Sequence, residues 1–340
     1  MSDNSSNNYI QRSSFDAKKR LPQFLKNDEE EALIELINNS LLPLQRQLEN
    51  RKTSAHPVLI ILGTPRSGST LLMQMISSRL DIAYPSNLMA RFHETPAVGA
   101  FLQKMLIGNR LHNLRDYQST HGATALIEEP HEFGYFWTRH LGICKDVHEP
   151  SALELLNVDI DKLQQELDSI INIFDKPVVF KCILGSYFVL PLQNISNIFF
   201  IDLQRNTLDV AESFLNVRQN RFGSTTEWWS IRPLNYESLC LQTPEVQIAS
   251  QILSIRRAID KSWALIPEQR KFTIKYEDLI EDPETTLDML VNSLESFGCS
   301  LPKVGIPVSL PKIRQMSSDT LNKEVRWKLS QALDQMLKFY

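Results

Sequence analysis

Cysteine is scarce and unpaired in this sequence: Cys144, Cys182, Cys240 and Cys299 are far apart and form no CxxC pair. That spacing excludes a disulfide framework and a zinc knuckle, and it implies reduced thiols in a reducing compartment. An apolar leader is also missing. The opening MSDNSSNNYIQRSS has no hydrophobic core of the kind a secretory signal needs. No run is long enough to span a bilayer, the compact apolar stretch Val58–Leu62 being far too short. A cytoplasmic protein without an integral membrane segment is therefore expected. Excess charge is absent as well. With 36 basic and 40 acidic side chains the formal net charge is -4, which argues against bulk nucleic-acid binding but allows a local basic pocket. There is no internal repeat and no low-complexity block.

What is present is an alternation of apolar strands and helical patterns over 340 residues with 42% hydrophobic content. Residues 1–28 are polar and read as a flexible extension, and 29–340 as a single α/β domain. The acidic run from Asp28 opens a helix whose apolar spacing is Leu33, Ile34, Ile37, Leu41 and Leu42. Val58–Leu62 reads as a strand, GTPRSGST as the turn after it, and LLMQMISSRL as a helix with Leu71, Met75, Ile76 and Leu80 on one face. A polar, aromatic middle section from about 81 to 150 contains RFHETP and EEPHEFGYFW. An amphipathic helix follows over Asp159–Phe174, then strands at Pro177–Phe180 and Asn197–Ile201. Helices are expected over Thr207–Phe222 and Thr243–Leu265, a last strand over Lys271–Lys275, and a helix over Pro283–Phe297 capped by Asp282. This order predicts a three-layer, P-loop-like α/β fold with a central, mostly parallel sheet flanked by helices.

The segment Gly63–Thr70 has the frame G-x-x-x-x-G-x-[ST] between a strand and a helix, which suits a phosphate cradled by backbone amides and a helix N-terminus. The lysine of a nucleotide-kinase loop is missing, for Ser69 stands in its place, and Arg66 is the loop's only cation. Downstream, the strand ending near Gln204 is followed by Arg205, with Ser213 in the second turn of the next helix. An arginine just past a strand's carboxyl end lies where open α/β sheets bind ligands.

Pro65, Arg66, Ser67, Gly68, Ser69 and Thr70 resemble the 5′-phosphosulfate loop of the sulfotransferase family, position by position. Arg205 and Ser213 resemble the family's 3′-phosphate element. The resemblance covers roughly residues 57–300 and implies 3′-phosphoadenosine 5′-phosphosulfate as co-substrate, with no metal. Tyr276, in the YEDL turn, matches a tyrosine that lies against adenine in some relatives, and Lys181 matches a strand lysine near the transferred group. Arg66 and Lys181 are the implied cations on the leaving side.

The catalytic base departs from the family. Where some relatives carry a histidine the chain has Ile183, and where others carry a glutamate it reads Pro85-Ser86-Asn87. The middle section offers His93, Glu94, Glu128, Glu129, His131 and Glu132 instead, with Glu129 and His131 ranked first. Phe92, Phe133, Tyr135, Phe136, Trp137, Trp228 and Trp229 are candidate walls for an acceptor such as a sugar, a lipid or a carrier-bound acyl chain. Lys312, Arg314, Arg326 and Lys328 are further cations, either scattered on the surface or closing over the cofactor. Two other functions stay open: a P-loop-like kinase, with Asp202 as its magnesium ligand, and a non-catalytic nucleotide-binding module.

Overall fold

A computed structural model describes residues 19–49, 52–108, 117–143, 146–305 and 323–339. Residues 1–18, Cys144, Lys312 and Arg314 lie outside the described residues. The principal elements, short helical turns aside, are α1 (Asp28–Leu48), β1 (Val58–Gly63), α2 (Ser69–Arg79), α3 (Pro96–Leu106), α4 (Gly134–His140), α5 (Ile160–Phe174) and β2 (Val178–Lys181). Then come β3 (Ile198–Gln204), α6 (Thr207–Phe222), α7 (Pro244–Trp263), β4 (Lys271–Lys275), α8 (Tyr276–Glu281), α9 (Pro283–Ser296) and α10 (Lys323–Leu337).

The four strands form one parallel sheet in the order β2-β1-β3-β4, with Val58 opposite Val178 on one side and Ile198 on the other. β1 is buried along its whole length, as its unbroken apolar run requires of a central parallel strand. Its residues alternate between two cores. Val58, Ile60 and Leu62 pack with α4, α5 and α7, whereas Leu59 and Ile61 pack with α2 and α9. A third core joins α6, α7 and α10. The chain leaves β1 toward β2 and returns across β1 to β3, so the switch in strand order falls between β1 and β3. That is where α/β sheets hold ligands.

Several helices form as the sequence dictates. Asp159 caps α5 through Lys162 N, and Leu163, Leu167, Ile170, Ile171 and Phe174 are all buried. Asp282 caps α9 through Thr285 N. Two helices differ from expectation. α2 is buried on nearly every side, not along one face, because the sheet, the middle section and residues near 303 enclose it. In α1, Leu33 and Ile37 are exposed while Asn38 and Gln45 are buried. Asn38 donates to Arg91 O at 2.8 Å and accepts from Glu94 N, and Gln45 Oε1 accepts from Ala97 N at 2.9 Å. α1 thus docks by capping the first turn of α3, whose own N-cap Thr95 supplies no side-chain bond. No helix among the described residues is long and apolar enough to cross a membrane.

Candidate functional site

The loop after β1 turns through left-handed backbone at Arg66 (φ 70°) and Gly68 (φ 98°) before α2 begins at Ser69. This alternation turns successive amides toward one concavity, to which the helix N-terminus adds its positive end. Only glycine fits at position 68: a Cβ there would lie 2.3 Å from the Tyr276 ring. Tyr276 opens α8 directly after β4, so the sheet itself sets its ring against the loop.

Arg205, just past β3, lies over that ring, its guanidinium carbon 4.3 Å from the centroid. Its Nη1 donates to Arg66 O at 3.1 Å. Arg66 Nε in turn donates to Ser213 Oγ at 2.9 Å. Burial, then the neighbouring Arg205, pushes the Arg66 pKa down to about 10; Tyr276 opposes and Arg221 adds to the depression. The two phosphate elements read from the sequence therefore meet as one cluster. Ser67 Oγ and Arg205 Nε within it are sealed from solvent and have no hydrogen-bond partner.

Lys181, the last residue of β2, reaches the same cavity. Its Nζ donates to Thr70 Oγ1 at 3.0 Å and pairs with Glu132 Oε2 at 3.0 Å. Thr70 Oγ1 donates in turn to Gly122 O, also at 3.0 Å. Gly122 belongs to a tight turn in which Thr120 and Ala123 exchange both backbone bonds, and His121 and Gly122 both have positive φ. The cavity between these elements measures about 920 Å³. Pro65, Arg66, Gly68, Ser69, Thr70, Lys181, Arg205 and Tyr276 line it, joined by His121, Glu132, Ile183, Trp229 and Arg326.

The middle-section candidates separate in space. Glu129 is buried with its carboxylate fully engaged: Oε1 accepts from Gln74 and Oε2 from Ala125 N and Leu126 N. His131 Nδ1 accepts from Phe133 N at 2.9 Å. The residue is exposed, yet the protein crowded around it lowers its pKa to about 4; Glu132 opposes, and Lys181 and Arg91 add to the lowering. Neither residue lines the cavity; Glu132, between them and the strand lysine, does. His93 and Glu94 belong to an ionic network with Arg139 and Glu166, away from the loop.

The aromatic run is core, not pocket wall. Phe133 stacks on Phe136 and Phe136 on Phe180 of β2, while Trp137 meets Phe136 and Phe180 edge-on. Trp228 is buried and donates to Ile231 O, Tyr135 is tied to Lys26 and Glu31, and only Trp229 of the seven named aromatics lines the cavity. Arg326 is held by Asp209 and Glu212 at the cavity edge, and Lys328 pairs with Glu324. Asp202 accepts from both Arg256 Nη atoms at 2.7 and 3.0 Å, so its carboxylate is committed within the fold. Sequence reasoning passed over His121, whose His-Gly dipeptide signals a turn but not where its tip lands. It also missed Arg221, which shares a helix face with Ser213.

No protein-family model matches the sequence, and no curated protein does. Solved structures do. The sulfotransferase STF1 of Mycobacterium tuberculosis aligns with a TM-score of 0.53 at 12% identity, over 97% of this chain and 93% of that one. The sulfotransferase STF9 of Mycobacterium avium aligns at 0.46 and 12% identity, over 88% and 72%. A sulfotransferase domain from the curacin biosynthetic pathway aligns at 0.43 and 19% identity, over 71% and 74%. On the near-complete STF1 alignment, together with the parallel sheet and its flanking helices, the protein has the α/β fold of the bacterial sulfotransferases.

Proposed function

We propose that the protein transfers a sulfuryl group from 3′-phosphoadenosine 5′-phosphosulfate to a hydroxyl, or an amine, of an acceptor. The observation that carries this is the bond from Arg66 to Ser213, which ties two anion-binding elements 147 residues apart into one grip. A single phosphate needs only one such element. The residues fit a ligand with two anionic ends: Arg66 and Arg205 both line the cavity with no carboxylate partner among the described residues, and the cavity is of the size that encloses nucleotide-like ligands.

In this assignment the amides and side chains of Pro65–Thr70 hold the 5′ end, and Arg205 with Ser213 holds the 3′-phosphate. Tyr276 supports both by packing against Gly68 and Arg205. Bound there, the co-substrate supplies an activated sulfuryl group, whose sulfur bonds the acceptor oxygen as its bond to the phosphate oxygen breaks. Lys181 and Arg66 stabilise charge on the departing phosphate oxygen. Glu132, whose carboxylate faces the cavity 3.0 Å from Lys181, accepts the acceptor's proton. Glu129 and His131, engaged by backbone amides of the same segment, hold Glu132 in place. The three described cysteines are free thiols, in keeping with a cytoplasmic protein.

A kinase fits poorly, since Ser69 replaces the loop lysine and Asp202 is held by Arg256. The deciding experiment compares ligands by thermal unfolding. Adenosine 3′,5′-bisphosphate at a hundredfold its Kd should stabilise the protein by about 2.7 kcal/mol, and ATP with magnesium much less. A larger shift with ATP and magnesium overturns the assignment in favour of a kinase.

A further inference from the structure

Cations and acids are matched over most of this molecule. Arg79 has Glu284, Arg139 has Glu166, Arg256 has Asp202, and Arg326 has Asp209 and Glu212. Beside the cavity the matching stops. Arg20, Arg66, Arg205 and Arg221 are all half-buried, and none has a carboxylate partner among the described residues. Two phosphates of the proposed co-substrate account for Arg66 and Arg205. They leave Arg20 and Arg221.

Arg221 is two helical repeats beyond Ser213 on α6, on the same face and roughly 12 Å along the axis. Arg221 does not line the cavity that the loop, Arg205 and Lys181 enclose. The segment before α1 fixes the arginine from outside. Leu21 N donates to Arg221 O at 2.8 Å, and the Phe24 ring lies 5.4 Å from the guanidinium. Phe24 also meets His121 edge-on at 6.1 Å, and His121 lines the cavity. The Nε atoms of Arg20 and Arg221 are sealed from solvent with no hydrogen-bond partner. Burial, followed by repulsion from Arg20, lowers the Arg221 pKa, and burial followed by Arg66 and Arg221 lowers that of His121. Unpaired, half-buried cations held this close destabilise the fold until an anion joins them.

We propose that Arg221, Arg20 and His121 form an anion subsite beside the cofactor cradle, and that the sulfuryl acceptor carries an oxyanion, a phosphate or carboxylate group, apart from the group it offers for transfer. The proposal rests on the neighbouring cradle being the co-substrate site. Guanidinium forks match either oxyanion, and among the described residues Glu227 is paired with Lys19 and Glu132 with Lys181.

The test is calorimetric titration of protein saturated with adenosine 3′,5′-bisphosphate, using glycerol 3-phosphate, glycerate and glycerol. At least one of the two anions should bind, the stronger one identifying the oxyanion, and glycerol should not. Arg221→Gln should weaken that binding at least tenfold and leave the bisphosphate Kd within twofold. Arg20→Gln, read the same way, serves if Arg221→Gln does not fold. The subsite is overturned if neither anion binds, if glycerol binds as well as they do, or if the substitution leaves anion binding unchanged. It is equally overturned if Arg221→Gln weakens the bisphosphate tenfold, which would assign Arg221 to the co-substrate. Should the bisphosphate fail to bind the wild type, the cradle assignment falls by itself. Glycerol 3-phosphate titrated alone then decides the subsite: loss in Arg221→Gln but not in Arg205→Gln keeps it, and any other pattern overturns it.

Discussion

Arg66 Nε and Ser213 Oγ are 2.9 Å apart, a hydrogen bond between the loop after the first strand and the helix after the third. The bond orients the guanidinium without neutralising it, so Arg66 stays available to an anion. Arg205 closes the same arrangement by donating to the Arg66 carbonyl. Substitution at any of the three residues should therefore register in the binding of a doubly phosphorylated nucleotide.

Arg205→Ala removes a cation that also braces the loop and the Tyr276 ring. Binding of adenosine 3′,5′-bisphosphate should weaken by roughly 2–5 kcal/mol, as for loss of one partner of a desolvated charge pair. Titration calorimetry measures it, and equal affinity in mutant and wild type removes Arg205 from the grip.

Ser213→Ala leaves the charge in place but deletes one hydroxyl and frees Arg66. The expected cost to bisphosphate binding is smaller, about 1–3 kcal/mol, that of one buried hydrogen bond. A loss as large as that of Arg205→Ala would mean that the arginine's position, not the serine's own contact, dominates.

Glu132→Gln keeps the size of the side chain at the cavity wall and removes its ability to take a proton. Turnover of labelled phosphosulfate, on the acceptor that a screen returns, should fall about 10²–10⁴-fold. Bisphosphate affinity should change little. Unchanged turnover would return the base to another cavity residue, His121 first.

Acid stability tests the network behind α4. Burial raises the Glu166 pKa, but bonds from Arg139 and His140 win and hold it at about 2, below its ordinary 4.5. A depressed carboxylate stabilises the fold above its unfolded pKa and loses that contribution as pH falls through the folded one. Burial also lowers the His148 pKa to about 4. That imidazole is neutral when folded, so its contribution is lost as pH falls from about 6.5 toward 4. Tm should decline below pH 6.5 and more steeply below 4.5. Glu166→Gln should cost about 3–5 kcal/mol near neutrality, because buried Arg139 would lose both short bonds to Glu166 and keep only the longer pairing with Glu94, and should flatten the acid limb. A Tm that stays level between pH 6.5 and 3 contradicts both assignments.

Much of the fold was legible because it rests on local chemistry. The strand limits follow unbroken apolar runs such as IFFI, and α5 and α9 start at Asp159 and Asp282, where a side chain caps the first turn. The face of α1 was not legible. Asn38 and Gln45 are buried to satisfy the backbone around α3, and that demand comes from a partner distant in sequence. EEPHEFGYFW misled in the same way: Phe133, Phe136 and Trp137 form core beside β2, while Glu132 next to them faces the cavity.

The sequence by itself determined the sheet's strands, the glycine-bearing turn after β1 and the position of Arg205 just past β3, because each is a contiguous string whose apolar run, glycine and cation act locally. Only the tertiary structure decided that Arg66 would bond Ser213, that Glu132 would meet Lys181, and that Arg20 and Arg221 would stand together without an acid among the described residues. Those relationships join residues far apart in the chain, and their charge balance exists only once burial has brought them close and excluded water from between them.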